Sequence, residues 1–328
     1  MQKIKRGQVT KYAFDARDEP CLHVKQGEVF RIETDDALSG LIADDSDHPL
    51  VHDFSPTGHL KKLQGQWPPL YNPVVGPIHV EGCEKGDVLA VTLHSIDPWR
   101  YGFSGVLPGI GPLGDSKRWP DCSEAHVHVI EHLPGPSGKT RDGKGVYSKN
   151  LTWDLDPFCG TLAVAPEREV VTSLLGQGSF GGNIDCRDVR PGHTIYLNAS
   201  HRGGLLYIGD IHGSQGDTEF TGIADETRAT VELSARVVKN KRLPCIRIEK
   251  PDSIVAIGIN LPMEQAVYEA ADNLMQWVRD DYGIQPRDMY VRMSADPLFR
   301  IRTYQVVRAA TLQHVVGAEY PKSRLFPA

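Results

Sequence analysis

Along most of the chain, apolar residues recur at every second position in short runs, and glycine and proline cut the runs apart. That alternation is the period of a half-buried strand, whose successive side chains point to opposite faces. One phrase introduces such runs three times, as Lys25-Gln-Gly-Glu-Val-Phe-Arg-Ile, Glu84-Lys-Gly-Asp-Val-Leu-Ala-Val and Arg190-Pro-Gly-His-Thr-Ile-Tyr-Leu. In each, Gly27, Gly86 or Gly192 can supply the positive φ that a tight turn needs before a strand. Val29/Arg31, Leu89/Val91 and Ile195/Leu197 then keep the period of two. Further strands are predicted at 126–130, 161–165, 205–208, 230–238, 246–249 and 254–259, with a last one at 299–307. One segment follows a different period. After Leu261, Pro262 suits a first helical position, and Met263, Ala266, Val267, Ala270, Ala271, Leu274 and Val278 fall on one helical face. Glu264 sits early, Arg279 late, and Gly283 is placed to cap the helix. A second, shorter helix is predicted at 286–293.

Many short strands, with helices gathered near the C-terminal end, predict an α+β, mainly β protein. The expected body is a β-sandwich of jelly-roll type in one domain over 1–328. Stretches 98–122 and 133–150, rich in Gly, Pro and Lys, read as long loops. The net charge of −6 comes from dispersed charges of both signs, which argues against a nucleic-acid partner because phosphates demand a basic stripe. No apolar run approaches the ~20 residues of a membrane-spanning helix, so no membrane partner is expected. The opening MQKIKRGQVTKYAFDARDEP has no apolar core of a secretory signal. Six scattered cysteines without a CxxC pair are expected as free thiols, and the expected location is cytoplasmic.

The chemistry concentrates between Gly176 and Glu226, where three acid-bearing turns follow one another: Gly182-Asn183-Ile184-Asp185, Gly209-Asp210-Ile211-His212 and Gly216-Asp217-Thr218-Glu219. Asn183 and Asp185 are two apart, as are Asp210 and His212, so each pair shares a face of extended chain and can converge on a point. Asp, His and Glu suit a divalent metal with an open position for water, and the spacing does not choose zinc over calcium. Against this stands the simpler account that Asn and Asp beside Gly merely cap turns. Gly176-Gln-Gly178-Ser-Phe-Gly181 has the letters of a dinucleotide fingerprint but runs into Pro191-Gly192 rather than a helix, which excludes it. Ser179 has Gln177 where a nucleophile elbow needs glycine two residues earlier, which leaves a Ser nucleophile unsupported. Two other classes stay open. His126, His128 and Glu131 would serve a cupin-like metal oxygenase, although a half-exposed strand explains them as well. A non-catalytic calcium- or sugar-binding sandwich would use the acidic turns, with Trp99, Tyr101 and Trp119 as a platform.

The stretch FGGNIDCRDVRPGHTIYL…GDIHGSQGDTEFTG resembles the signature region of the acetamidase/formamidase family. The similarity extends through VKQGEVFRIETDDALSG, NPVVGPIHVEGCEKGDVLAVTL, GTLAVAP and YPKSRLF, in order along most of the chain. The resemblance implies a metal-dependent hydrolase of a small linear amide, formamide- or acetamide-like, that releases ammonia and a carboxylate and works as a homo-oligomer, commonly a dimer. Carried onto this chain, its motif positions are Asn183, Asp185, Asp210, His212, Asp217 and Glu219, with Asp36 facing the same cavity. Asp185, Asp210 and His212 are assigned as ligands of a divalent metal, zinc before calcium. Glu219 is assigned as general base, with Asn183 and Asp217 as further catalytic residues. Gly181 and Gly182 are assigned to substrate binding through their backbone N–H groups. Phe180, Thr218 and Thr221 depart from the family pattern, and Phe180 is expected beside the substrate, where its bulk would change which acyl group fits.

Overall fold

The computed structural model describes residues 1–43 and 49–327. Among these residues, 18 strands are hydrogen-bonded into one branching network, with two further two-stranded pairs apart from it. The network is a strongly curled half-barrel with two helices near the C-terminal end, so the mainly β class holds. The jelly-roll sandwich is not what the pairing describes. The strand Val88–Val106 is long enough to pair with three partners, Thr194–Asn198, Glu226–Val238 and His126–Leu133. Such shared long strands bend a sheet round on itself and tie its two faces together.

The glycines of the repeated phrase behave as the pattern demands. Gly27, Gly86 and Gly192 all have positive φ, and a strand begins within three residues of each. The strand at 98–106 corrects the predicted loop at 98–122. Its proline did not end pairing, because Pro98 lies beside a register shift against Glu226–Val238, where a missing N–H leaves no gap in the ladder. The predicted loop at 133–150 also contains a strand, Lys144–Ser148, paired with His126–Leu133. A further strand, His314–Pro321, follows the one expected to be last and lies between Ser253–Asn260 and Arg300–Gln305.

The main core fills the inside of the curl with Phe30, Ile32, Leu89, Leu93, Ile195, Leu206 and Val231, all buried. The predicted helix runs Met263–Tyr282 and ends at Gly283, left-handed at φ 68°. Ala266, Ala270, Leu274 and Val278 bury as the helical period requires, with Trp277 joining them, against Ser253–Asn260 and His314–Pro321. The helix lies so close that a Cβ on Gly258 would strike the Ala266 carbonyl, which is why the strand carries glycine there. The second helix spans Pro286–Ala295.

Candidate functional site

Four strands bring the acids together. Leu206–His212 pairs antiparallel with Phe158–Val164, setting His212 opposite Phe158, and with Glu226–Val238, setting His212 opposite Glu226. Gly181–Asn183 lies on the far side of Phe158–Val164 with Asn183 opposite Thr161. Asp185, Asp210 and Glu219 all adopt positive φ, at 43°, 56° and 49°. L-residues rarely sit there, so the surrounding hydrogen bonds must hold all three in place.

The result is two overlapping groups whose ligand atoms lie within 4.8 Å of one another, Asp185/His212/Glu219 and Asp210/His212/Glu226. The His212 Nε2 is 3.4 Å from Asp210 Oδ1, 3.4 Å from Glu226 Oε2 and 4.0 Å from Asp185 Oδ1. Two of these distances match the edge of a tetrahedron with bonds of about 2.1 Å, and are long for good hydrogen bonds. Gly160 lies against the middle of the group. A Cβ there would come within 2.6 Å of Asp210 Oδ2, 2.7 Å of Asp185 Oδ1 and 2.9 Å of His212 Cε1. Its absence of a side chain is what lets the three converge.

Neighbouring amides fix the orientation of the ligands. Gln215 Nε2 donates to the backbone carbonyls of Asp185 and Tyr304, both at 3.0 Å, so its Oε1 faces His212 Nδ1 at 3.0 Å as acceptor. The imidazole therefore carries a proton on Nδ1 and turns Nε2 toward the carboxylates, as histidines that bind metals do. Gln177 Nε2 donates to Gln305 Oε1 at 2.6 Å, which leaves Gln305 Nε2 to donate in a short bond to Asp185 Oδ2. Asn183 Nδ2 is committed to the Leu174 carbonyl at 2.9 Å, so its Oδ1 faces the Thr161 hydroxyl, which also lies 3.1 Å from Asp210 Oδ2.

Four buried carboxylates here face one imidazole. Burial, with Asp210 adding repulsion, pushes Asp185 up to about 7. Burial likewise pushes Glu226 to about 7, and burial with Asp185 holds Glu219 well above the carboxylate range. Burial alone would lower His212, but Glu226 and Asp210 raise it well above its ordinary value, and His212 in turn holds Asp210 below its own. In the protein alone, protons thus settle the charge of the cluster. Among the described residues, Glu226 Oε2 is buried without a hydrogen-bond partner, with His212 Nε2 at 3.4 Å beside it. An orphaned carboxylate oxygen, an excess of anionic donors and an oriented imidazole together fit a divalent cation.

The cluster floors a cavity of about 430 Å³ onto which Asn183, Asp185, Asp210, Glu219, Glu226 and Gln305 open. The structure thus brings together Asn183, Asp185, Asp210, His212 and Glu219, as the sequence spacing suggested. It leaves others outside. Asp217 lies at the surface, its side chain 75% exposed and paired with Arg187 at 2.8 Å. With φ of 86° at Thr218, the backbone turns there, so residues two apart no longer share a face. Phe180 packs against Phe14 with ring centroids 6.1 Å apart and does not line the cavity. Gly181 and Gly182 are paired within the ladder, and side chains there would strike the Leu162 and Gly176 carbonyls, so sheet packing explains these glycines. Asp36 is buried but turned into its own loop, accepting from the Leu38 N–H at 3.0 Å and the Gly40 N–H at 3.1 Å. Burial beside Asp35 pushes Asp36 up to about 6. The cupin-like set is not assembled. His126 and Glu131 are exposed, and His128 bonds the Tyr147 carbonyl at 2.6 Å. Trp99 and Tyr101 pack edge to face within the fold, with Arg228 over Trp99, rather than forming an exposed platform.

Sequence reasoning missed Glu226, Gln215, Gln305, Thr161 and Gly160. A signal for Glu226 was present: a charged residue heading the β-prone run ETRATVELSA directly after the acidic stretch.

Comparisons with known proteins place the chain among relatives. The chain is similar at 26% identity over 242 residues to a formamidase of Methylophilus methylotrophus, covering 60% of this chain and 56% of that protein. It is 25% identical over 269 residues to an acetamidase of Mycolicibacterium smegmatis, covering 66% and 63%. The chain thus spans little more than half the length of these curated relatives. The solved structure of an acetamidase from Yersinia enterocolitica superposes with a TM-score of 0.82 at 28% identity, over 99% of this chain and 92% of that one. The sequence model of the Acetamidase/Formamidase family matches residues 14–177 and 174–298, nearly the whole body of the fold and every acid of the site. The chain belongs to the acetamidase/formamidase family.

Proposed function

We propose that this chain is a metal-dependent hydrolase of a small-molecule primary amide, releasing ammonia and a carboxylate. The observation that carries the reading is the convergence of Asp185, Asp210, Glu219 and Glu226 on His212 at the floor of a cavity, in a chain of this family. Asp210, His212 and Glu226 are assigned to hold the cation, with Asp185 at the edge of the set. We take zinc as the metal, with calcium as the alternative that a carboxylate-rich donor set keeps in view. When bound, the cation would supply an activated water at neutral pH and a Lewis-acidic contact for the amide carbonyl.

The remaining steps fall to side chains of the protein. An amide resists water because its carbonyl is a poor electrophile and its nitrogen leaves only when protonated. Glu219 lies beside Asp185 and opens onto the cavity, and burial next to that carboxylate raises its hold on a proton. We assign Glu219 to take a proton from water and return it to the departing nitrogen, a role worth about 10²–10⁴-fold in rate. Asn183 opens onto the cavity and also acts through Thr161, whose hydroxyl fixes Asp210. A single domain over 1–328, a cytoplasmic location and a homodimer belong to the same proposal, and sedimentation of the purified protein tests the last. Ammonia release from a series of primary amides tests the activity. Turnover should vanish with a chelator and return with metal, whereas full turnover in chelated protein would overturn the metal-dependent reading.

A further inference from the structure

The acid floor accounts for bond cleavage, but an amide of one or two carbons would leave most of the cavity unused. At about 30 Å³ per heavy atom, the four heavy atoms of acetamide fill on the order of 100 Å³. The cavity holds about 430 Å³. Its walls rise from the floor on four separate stretches of chain. Leu38 and Leu60 come from one, Leu107 and Ile110 from a second, Leu174 from a third, and Val307 and Leu312 from a fourth. Among the described residues, no Lys or Arg lines the cavity, and the charged groups that do are the acids of the floor. Leucine walls facing water around a small ligand would forgo the transfer energy that an apolar ligand recovers.

We infer that the substrate is a neutral primary amide with a bulky apolar acyl group of about six to ten heavy atoms. The inference rests on the hydrolase reading and narrows its substrate. The amide head sits on the floor and the acyl group extends between Leu38, Leu60, Leu107 and Leu174. Water adds its oxygen to the carbonyl carbon, the carbon–nitrogen bond breaks, and ammonia leaves with the proton Glu219 returns. The apolar acid is the other product. An acyl chain ending in a carboxylate is disfavoured, because burying that charge among leucines finds no Lys or Arg to pair it among the described lining residues.

The test is kcat/KM of the metal-loaded protein, by ammonia release, for acetamide, butyramide, hexanamide, phenylacetamide and the monoamide of adipic acid. Each desolvated methylene should raise kcat/KM about fourfold, so hexanamide should exceed acetamide on the order of 10²-fold. The adipic monoamide should fall well below hexanamide. Ala37→Phe, which adds bulk to the cavity lining, should cut the hexanamide-to-acetamide ratio about tenfold. Leu174→Gln should lower the same ratio and serves if the first variant does not fold. A series that turns over but is flat, or is best with acetamide, overturns this inference and leaves the hydrolase reading standing. If no amide turns over, the hydrolase reading falls. Thermal stabilisation by hexanamide over acetamide then still supports an apolar ligand site, and equal stabilisation overturns it.

Discussion

Glu319 and Glu226 are both buried carboxylates on strands, yet their surroundings hold them at opposite ends of the carboxylate range. Burial works against both. Around Glu319, Lys250 at 2.8 Å, Arg302 at 2.5 Å and the Ser253 hydroxyl at 2.7 Å outweigh it and bring the carboxyl down to about 2. Lys250 also pairs with Asp188 at 3.1 Å, whose other oxygen accepts from the Tyr304 hydroxyl. Around Glu226, the one cation among the described residues is His212, shared among four carboxylates, and burial raises the carboxyl to about 7. The first cluster is complete within the chain and serves the fold. The second is left short of positive charge, so it demands protons or a cation from outside. An acid cluster that folding does not neutralise is the better guide to function, because strain of that kind persists only where something uses it.

Breaking the second cluster should have the largest effect. His212→Ala removes the donor shared by both groups, and it should abolish measurable metal binding and lower turnover by about three orders of magnitude or more, read by metal analysis and ammonia release. Breaking the first should unfold rather than inactivate. Lys250→Met takes from Asp188 its nearest cation and leaves Glu319 with Arg302 alone, and should cost about 3 kcal/mol of stability. Turnover per folded molecule should be close to normal, and urea denaturation beside an activity assay separates the two. Gly160→Ala tests the convergence itself. The added methyl group should lower metal affinity about 10–100-fold, as disturbed ligand orientation does, with the far-ultraviolet circular dichroism unchanged.

The two clusters should also respond to pH in opposite senses. Glu319 is depressed, so its contribution is present above its ordinary pKa and is lost as pH falls from about 4.5 toward 2. Asp185 and Glu226 are raised, so theirs is present below about 4 and is lost as pH rises through about 7. His212, also raised, contributes below its ordinary value of about 6.5 and loses that contribution as pH climbs through its folded value, which has the same sign. The Tm of chelated protein should therefore fall between pH 5 and pH 8, and metal should stabilise more at pH 8 than at pH 5. The smallest effect belongs to Asp217→Asn, which should leave metal content and turnover within about twofold, since surface substitutions of exposed groups rarely matter more.

Local chemistry was legible in the sequence and its long-range completion was not. The helix at 263–282 declared itself by period and cap, and the turns at Gly27, Gly86 and Gly192 by their glycines. Asp185, Asp210 and His212 were readable because each lies in a short glycine-flanked phrase. Glu226 was not, since its place opposite His212 comes from strand register. Asp217 and Glu219 look equivalent in the sequence, and only the positive φ of Thr218 and Glu219 sends one to the surface and the other to the site. Gly160 carries no chemical signal at all until three ligands are seen to crowd it.

The most direct test of the account is metal binding by equilibrium dialysis at neutral pH, comparing chelator-stripped wild type with Glu226→Gln against zinc and against calcium. The account predicts at least one tightly held ion per wild-type chain and binding at least about tenfold weaker in the variant. No binding by the wild type, or identical binding by the variant, would contradict the claim that this buried acid cluster is a metal site.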